Sequence, residues 1–295
     1  MKIMTANLIY PYQAELGEGA LWDERISRLW WVDITNGRLH RFDPKTKVNE
    51  TFEIGSPVGT VVPEEGRDVV LAIKDGFASY DTKTEKLEML ATVEHANQSV
   101  RFNDGKCDPA GRFWAGTLAQ DGTVDAGDLY CLESNLTLTV KIKDVGISNG
   151  LGWNLLGDKM YYVDSLSQKV VEFSYNLKDG VITNPRTVVV FKANEGTPDG
   201  MCVDSEGMLW VALWDGSKVV RLNPENGEYL CEVHVPCVHK VTSCTLGGEN
   251  LSTLFITTAR QGFTSEDEKN QPDAGSLFAA EVGVRGLTAN LFKRS

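Results

Sequence analysis

The sequence predicts an all-β fold, a six-bladed β-propeller formed as one domain over residues 1–295. Three observations predict it. One unit recurs six times, its openings fall 40 to 50 residues apart, and strand signals dominate every copy. A period of about 40–50 residues with several strands per unit marks a propeller, whose blades share a ring without linkers. The openings are Glu18-Gly19, Val58-Gly59, Asp104-Gly105, Asn149-Gly150, Asp199-Gly200 and, most weakly, Ser243-Cys244. Each leads into a strand-like run, a turn and a second hydrophobic strand. The clearest second strands are Leu29-Trp30-Trp31-Val32-Asp33, Phe113-Trp114-Ala115-Gly116-Thr117, Met160-Tyr161-Tyr162-Val163-Asp164, Leu209-Trp210-Val211-Ala212 and Leu254-Phe255-Ile256-Thr257-Thr258. Third strands read in Arg38-Leu39-His40-Arg41-Phe42, Lys169-Val170-Val171-Glu172-Phe173 and Lys218-Val219-Val220-Arg221-Leu222. Asn36-Gly37, Asp75-Gly76, Asp179-Gly180, Asp215-Gly216 and Asn226-Gly227 supply the positive φ that tight hairpins need. No long stretch carries a 3.6-residue apolar stripe, so no long helix is expected. The polar run 265–271 reads as a surface loop. Closure requires one terminus to lend a strand to the last blade, and residues 6–13 and 288–293 are the candidates.

The formal charge of −12, without a visible basic patch, argues against a nucleic-acid partner. No run approaches the ~18–20 apolar residues of a membrane span, and the N-terminus lacks the apolar segment of a signal peptide. These features predict a globular, soluble, cytoplasmic protein. The six cysteines show no Cys-x-x-Cys spacing, which suits buried free thiols in a reducing compartment. Cys231 and Cys237 could pair in an oxidised form.

A ring brings equivalent positions together around one axis. Glu18, Asp104, Asn149 and Asp199 occupy matched openings and would rim the channel. They offer carboxylate and carboxamide oxygens, a hard set suited to Ca²⁺, Mg²⁺ or Mn²⁺, with Zn²⁺ also accommodated. The alternative is that Asp-Gly and Asn-Gly are simply turn dipeptides. Glu18 is not a turn former, however, and Val58 and Ser243 show that a turn Asx is not required. Arg101-Phe102-Asn103-Asp104-Gly105-Lys106 sets a guanidinium and an amide at the same rim. Arg101 and Asn103 could bond sugar hydroxyls or a carboxylate, or belong to a solvated blade-to-blade loop. Gly146-Ile147-Ser148-Asn149-Gly150 matches G-x-S-x-G but lacks the strand-to-helix setting of a nucleophile elbow. The histidines are His40, His95, His234 and His239, and all four read as surface or supporting residues. No Walker A or dinucleotide fingerprint appears in strand–helix context.

Gly17-Glu18-Gly19, Arg101-Phe102-Asn103-Asp104-Gly105-Lys106 with Asp108-Pro109-Ala110-Gly111-Arg112, Ser148-Asn149-Gly150, Pro198-Asp199-Gly200-Met201 and Val241-Thr242-Ser243-Cys244 occur in this order. Together they resemble the SMP-30/gluconolactonase/luciferin-regenerating-enzyme family, over nearly the whole chain. The resemblance implies a six-bladed propeller that hydrolyses sugar lactones to aldonic acids with one divalent metal ion (Ca, Zn, Mn or Mg). It implies that Glu18, Asn149 and Asp199 hold that ion with water, and that Asp199 is also the general base. Arg101 and Asn103 fall on substrate-contacting positions, and Asp121, after Gly116-Thr117-Leu118, matches a further substrate-contacting acid. On one point the resemblance and the repeat differ. The repeat puts Asp104 in the metal-facing register, and neighbours on a regular strand point opposite ways; the resemblance selects Asn103 and leaves Asp104 behind the ligands. The alternatives are a metal-dependent esterase or phosphotriesterase of the same fold, and a non-catalytic propeller that binds calcium or a small ligand. The expected partner is a small-molecule sugar lactone, with the oligomeric state left open.

Overall fold

The computed structural model describes all residues, 1–295. Six sheets form a ring, and in the first four blades the strands run in sequence order from the axis outward; blades five and six do the same except for an N-terminal strand added at the outer edge. The inner strands are Gly17–Asp23, Val58–Pro63, Val100–Cys107, Ser148–Trp153, Thr197–Val203 and Val241–Gly247, of blades one to six respectively. Each inner strand touches those of the blades on either side, which closes the circle. Burial falls outward: every residue of Gly17–Asp23 is buried, whereas Val48–Glu53 at the edge of the same blade is mostly exposed. No helix is long and apolar enough to cross a membrane. The one α-helix, Ser265–Asn270, lies in the expected polar loop and starts on a capping box between Thr264 and Asp267.

Recurrent tryptophans have a structural reason. Trp30, Trp114 and Trp210 are fully buried on second strands, and each needs an acceptor for its indole N–H. Each donates to the acid that ends the inner strand or begins the turn after it: Asp23, Asp108 and Asp204, at 3.2, 2.9 and 2.9 Å. Arg25, Arg112 and Arg221 pair with these same acids. Part of the chain's acidity is therefore built into the blades.

Closure uses the N-terminus. Asn7–Tyr10 pairs antiparallel with Leu277–Glu281 as the outer strand of blade six. Lys2–Thr5 then adds a parallel fifth strand to blade five, against Tyr229–His234, which the repeat did not foretell. Residues 288–293 do not join the last blade. They run across the floor of the ring: Phe292 is buried, its N–H donates to Pro63 O at 2.8 Å, and Lys293 N donates to Gly111 O at 3.0 Å. An apolar residue with backbone acceptors on two blades gains more there than at an exposed edge.

All six cysteines are free, five of them buried, and Cys237 is exposed and unpaired with Cys231. His40 departs from expectation. It lies on the third strand of blade one, is fully buried, and stacks on Trp31 at 4.0 Å. Burial, with Arg38 adding to it, lowers its pKa to about 3, so it packs as a neutral ring.

Candidate active site

The inner strands are not regular where the acids and amides stand. In blades three, four and five, two residues oppose one on the neighbouring strand: Asn103-Asp104 against Gly116, Asn149-Gly150 against Val163, and Asp199-Gly200 against Ala212. Blade one has the same break between Glu18 and Leu21. Such bulges interrupt the alternation of side chains and re-aim them. They also correct the expected register: Asn103, not Asp104, is the equivalent of Asn149 and Asp199. Asp104 is buried outside the cavity lining, with Oδ1 accepting the Gly105 N–H at 2.6 Å.

The glycines beside these residues allow neighbouring blades to close. A Cβ on Gly150 would lie 2.7 Å from Asp199 O, and one on Gly59 2.6 Å from the carbonyl carbon of Phe102.

A cavity of about 280 Å³ opens at the starts of the inner strands. Glu18, Arg101, Asn103, Asn149 and Asp199 line it together, with Ser165, Thr197 and Gln261. Leu16, Leu118, Ile147, Leu166 and Trp214 supply its apolar wall. Four larger cavities, of about 670, 480, 350 and 330 Å³, lie elsewhere, and none is lined by a buried carboxylate. Asp121 is not brought to the cavity. It is exposed on the loop after the second strand of blade three, where it accepts from Thr123 N at 3.0 Å and from Asn97 Nδ2 at 3.0 Å.

Hydrogen bonds run through the site from blade to blade. Arg101 Nη1 donates to Asn103 Oδ1 at 2.8 Å and to Phe102 O at 2.9 Å. Asn103 Nδ2 donates to Ser148 O on blade four at 2.8 Å. Asn149 Nδ2 donates to Ser165 Oγ at 2.9 Å. Glu18 Oε2 accepts the Gly19 N–H at 2.9 Å. Three buried polar atoms here lack any partner: Asn149 Oδ1, Asp199 Oδ1 and Arg101 Nε.

The electrostatics are unbalanced. Burial, reinforced by Asp104, pushes Glu18 up to about 8. Burial together with Glu18 and Asp104 pushes Asp199 well above the usual carboxylate range. Burial also raises Asp104 and lowers Arg101 to about 10, while Glu18 and Asp199 hold the guanidinium's proton. Arg101, with Lys106 acting on Asp104, thus stands against three buried carboxyls, one more than the two cations can neutralise.

This donor set fits a hard divalent cation. Nowhere are three or more His, Cys, Asp or Glu side chains arranged to hold a metal. The set here is two carboxyls and an amide, with oxygens on Asn149 and Asp199 that nothing in the protein satisfies. Oxygen ligands and a deficit of positive charge are what Ca²⁺, Mg²⁺ or Mn²⁺ require.

Fold and site together define a six-bladed propeller with an acid-and-amide centre at one mouth of its channel. Residues 16–260 match the SMP-30/Gluconolactonase/LRE-like region. The chain belongs to that family. It is 42% identical over 284 residues to YvrE of Bacillus subtilis (strain 168), provisionally named a sugar lactone lactonase, covering 96% of this chain and 97% of that one. It is 40% identical over 290 residues to regucalcin of Danio rerio, covering 97% and 98%. Among solved structures, a calcium-binding regucalcin of Agrobacterium tumefaciens superposes with a TM-score of 0.94 at 23% identity, over 99% of both chains, a likeness of fold.

Reading the sequence missed Ser165, Thr197 and Trp214 in the lining. Asp164-Ser165 does carry the signature of a helix N-cap, but its partner Asn149 is sixteen residues away and is met only through the blade.

Proposed function

We propose that the chain is a metal-dependent hydrolase that opens sugar lactones to aldonic acids, acting in the cytoplasm. The observation that carries this reading is the pair of unpartnered oxygens, Asn149 Oδ1 and Asp199 Oδ1, beside Glu18 and a buried guanidinium. Kinship with proteins named as lactonases supports it, and the six free thiols accord with a reducing compartment. Glu18, Asn149 and Asp199 hold the divalent ion. When bound, that ion supplies Lewis-acid polarisation of the lactone carbonyl and stabilises the developing oxyanion.

The chain's own groups do the rest. Asp199 takes a proton from the water that attacks the carbonyl carbon. As the ring C–O bond breaks, that proton passes to the departing ring oxygen, so lactone and water become a hydroxy acid. Arg101, held in place by Asn103 and Phe102 O, lines the cavity and sets its guanidinium charge toward substrate oxygen. Trp214 and the leucines of the wall cover the less hydroxylated face of the ring.

The test is acid release from D-glucono-, xylono-, arabinono- and galactono-lactone, before and after chelation, with Ca²⁺, Mg²⁺, Mn²⁺ or Zn²⁺ restored one at a time. Chelator-sensitive release from at least one lactone is expected. Phosphotriester hydrolysis without lactone hydrolysis would move the assignment to a phosphotriesterase, and silence on every substrate to a binding protein.

A further inference from the structure

The structure assigns Ser165 a positioning role: it fixes which end of the Asn149 amide faces the cavity and ties that amide to the segment carrying Asp199. The inference rests on the metal reading proposed above.

Ser165 is buried at the start of a short 3₁₀ turn, Ser165–Ser167, on blade four. Asp164 anchors the turn by accepting the N–H groups of Gly146, Ile147 and Leu166, at 3.2, 3.0 and 3.2 Å. The hydroxyl of Ser165 lies 2.6 Å from Pro198 O on blade five and 2.9 Å from Asn149 Nδ2. A hydroxyl has one hydrogen and a carbonyl oxygen only accepts. That hydrogen is therefore committed to Pro198, and Ser165 can only accept from Asn149. The amide must turn its NH₂ toward Ser165, because a flipped amide would set Oδ1 against a hydroxyl oxygen with no hydrogen to give. Oδ1 is left toward the cavity without a partner.

The same turn grips blade five a second time. Gln168, in the left-handed region at φ 56°, donates from Nε2 to Thr197 Oγ1 at 2.9 Å. Thr197 and Pro198, which lead directly into Asp199, are thus both held from blade four. One proposed ligand has its orientation set, and another its location, by a residue that itself holds no ion. Partners of this kind govern the affinity of metal sites.

The experiment is calorimetric titration of the metal-stripped protein with CaCl₂ and with MnCl₂, repeated on Ser165→Ala, Asn149→Asp and the double variant, with circular dichroism and melting to confirm the fold. Ser165→Ala should weaken cation binding roughly 10–100-fold. A carboxylate has no NH₂ end to misdirect, so in the Asn149→Asp background the same change loses only the tether to Pro198 and should cost several-fold less than in the parent. Equal affinity of Ser165→Ala and the parent overturns the inference, and so does an equal loss in both backgrounds. A parent that binds neither cation overturns the metal reading itself, and this inference with it.

Discussion

Replacing Asp199 by Asn is expected to move catalysis and stability in opposite directions. Asp199 is 5% exposed and shares its surroundings with Glu18 and Asp104. The change keeps the shape and removes one ionisable group. As the proposed base, Asp199 accounts for about 10²–10⁴ in turnover, and that is the expected loss. Stability should rise when no ion is present. Burial, Glu18 and Asp104 raise Asp199 itself well above its ordinary 3.8. A carboxyl whose pKa is higher in the folded state binds protons more tightly there, so the fold loses stability as pH climbs from about 3.8 toward the raised value. At pH 8 the part of that loss owed to the neighbouring charges rather than to burial is on the order of 1–2 kcal/mol. Removing it should raise the melting temperature in chelator at pH 8 by roughly 2–3 °C, and by much less at pH 5. Acid release on a pH-stat and thermal melts in EDTA at the two pH values read both effects. Parent-like turnover with metal restored would refute the base assignment, and a lower melting temperature at pH 8 would refute the account of crowded charge.

His40→Gln should flatten the acid limb of the stability curve. His40 stays neutral in the fold down to about 3, so the parent loses stability as pH falls through about 6.5 toward 3, on the order of 4 kcal/mol in all. Urea melts at pH 7 and pH 4 test this, and parallel losses in parent and variant would rule it out. Gly59→Ala places a Cβ 2.7 Å from Asn103 O and should cost about 1–3 kcal/mol, with lactone turnover falling as Asn103 shifts. Phe292→Ala empties a buried position under the ring and should cost about 3–5 kcal/mol by chemical denaturation, whereas a loss below ~1 kcal/mol would mean that the floor segment contributes no packing.

The ring was legible because each blade repeats a local pattern: an opening, an aromatic second strand and an Asx-Gly turn. Glu18, Asn149 and Asp199 were legible as a set because the repeat brings matched openings to one axis, and Arg101 and Asn103 through the adjoining motif and the family resemblance. The register of Asn103 against Asp104 was not, since a bulge depends on how many residues the partner strand sets opposite, and Gly116 lies thirteen positions away from Asn103 in the chain. Asp121 was placed by motif proximity, but the loop after Ala119 carries it to solvent, where Asn97 and Thr123 engage it. Lys2–Thr5 escaped notice and residues 288–293 were assigned to the last blade, because backbone pairing with a distant blade leaves no trace in side-chain pattern.

Lys106 stands a few residues below Asn103 on the inner strand of blade three. It reaches past blade four to donate to Met201 O on blade five, at 2.7 Å. This tether is a crossbar over the channel, between the candidate site and the cavity at the far end. On the lactonase reading proposed above, ring and acid would share the mouth on the site's side of this crossbar. The acid formed would then compete with the next lactone for the same space, which the acid-release assay would register as product inhibition.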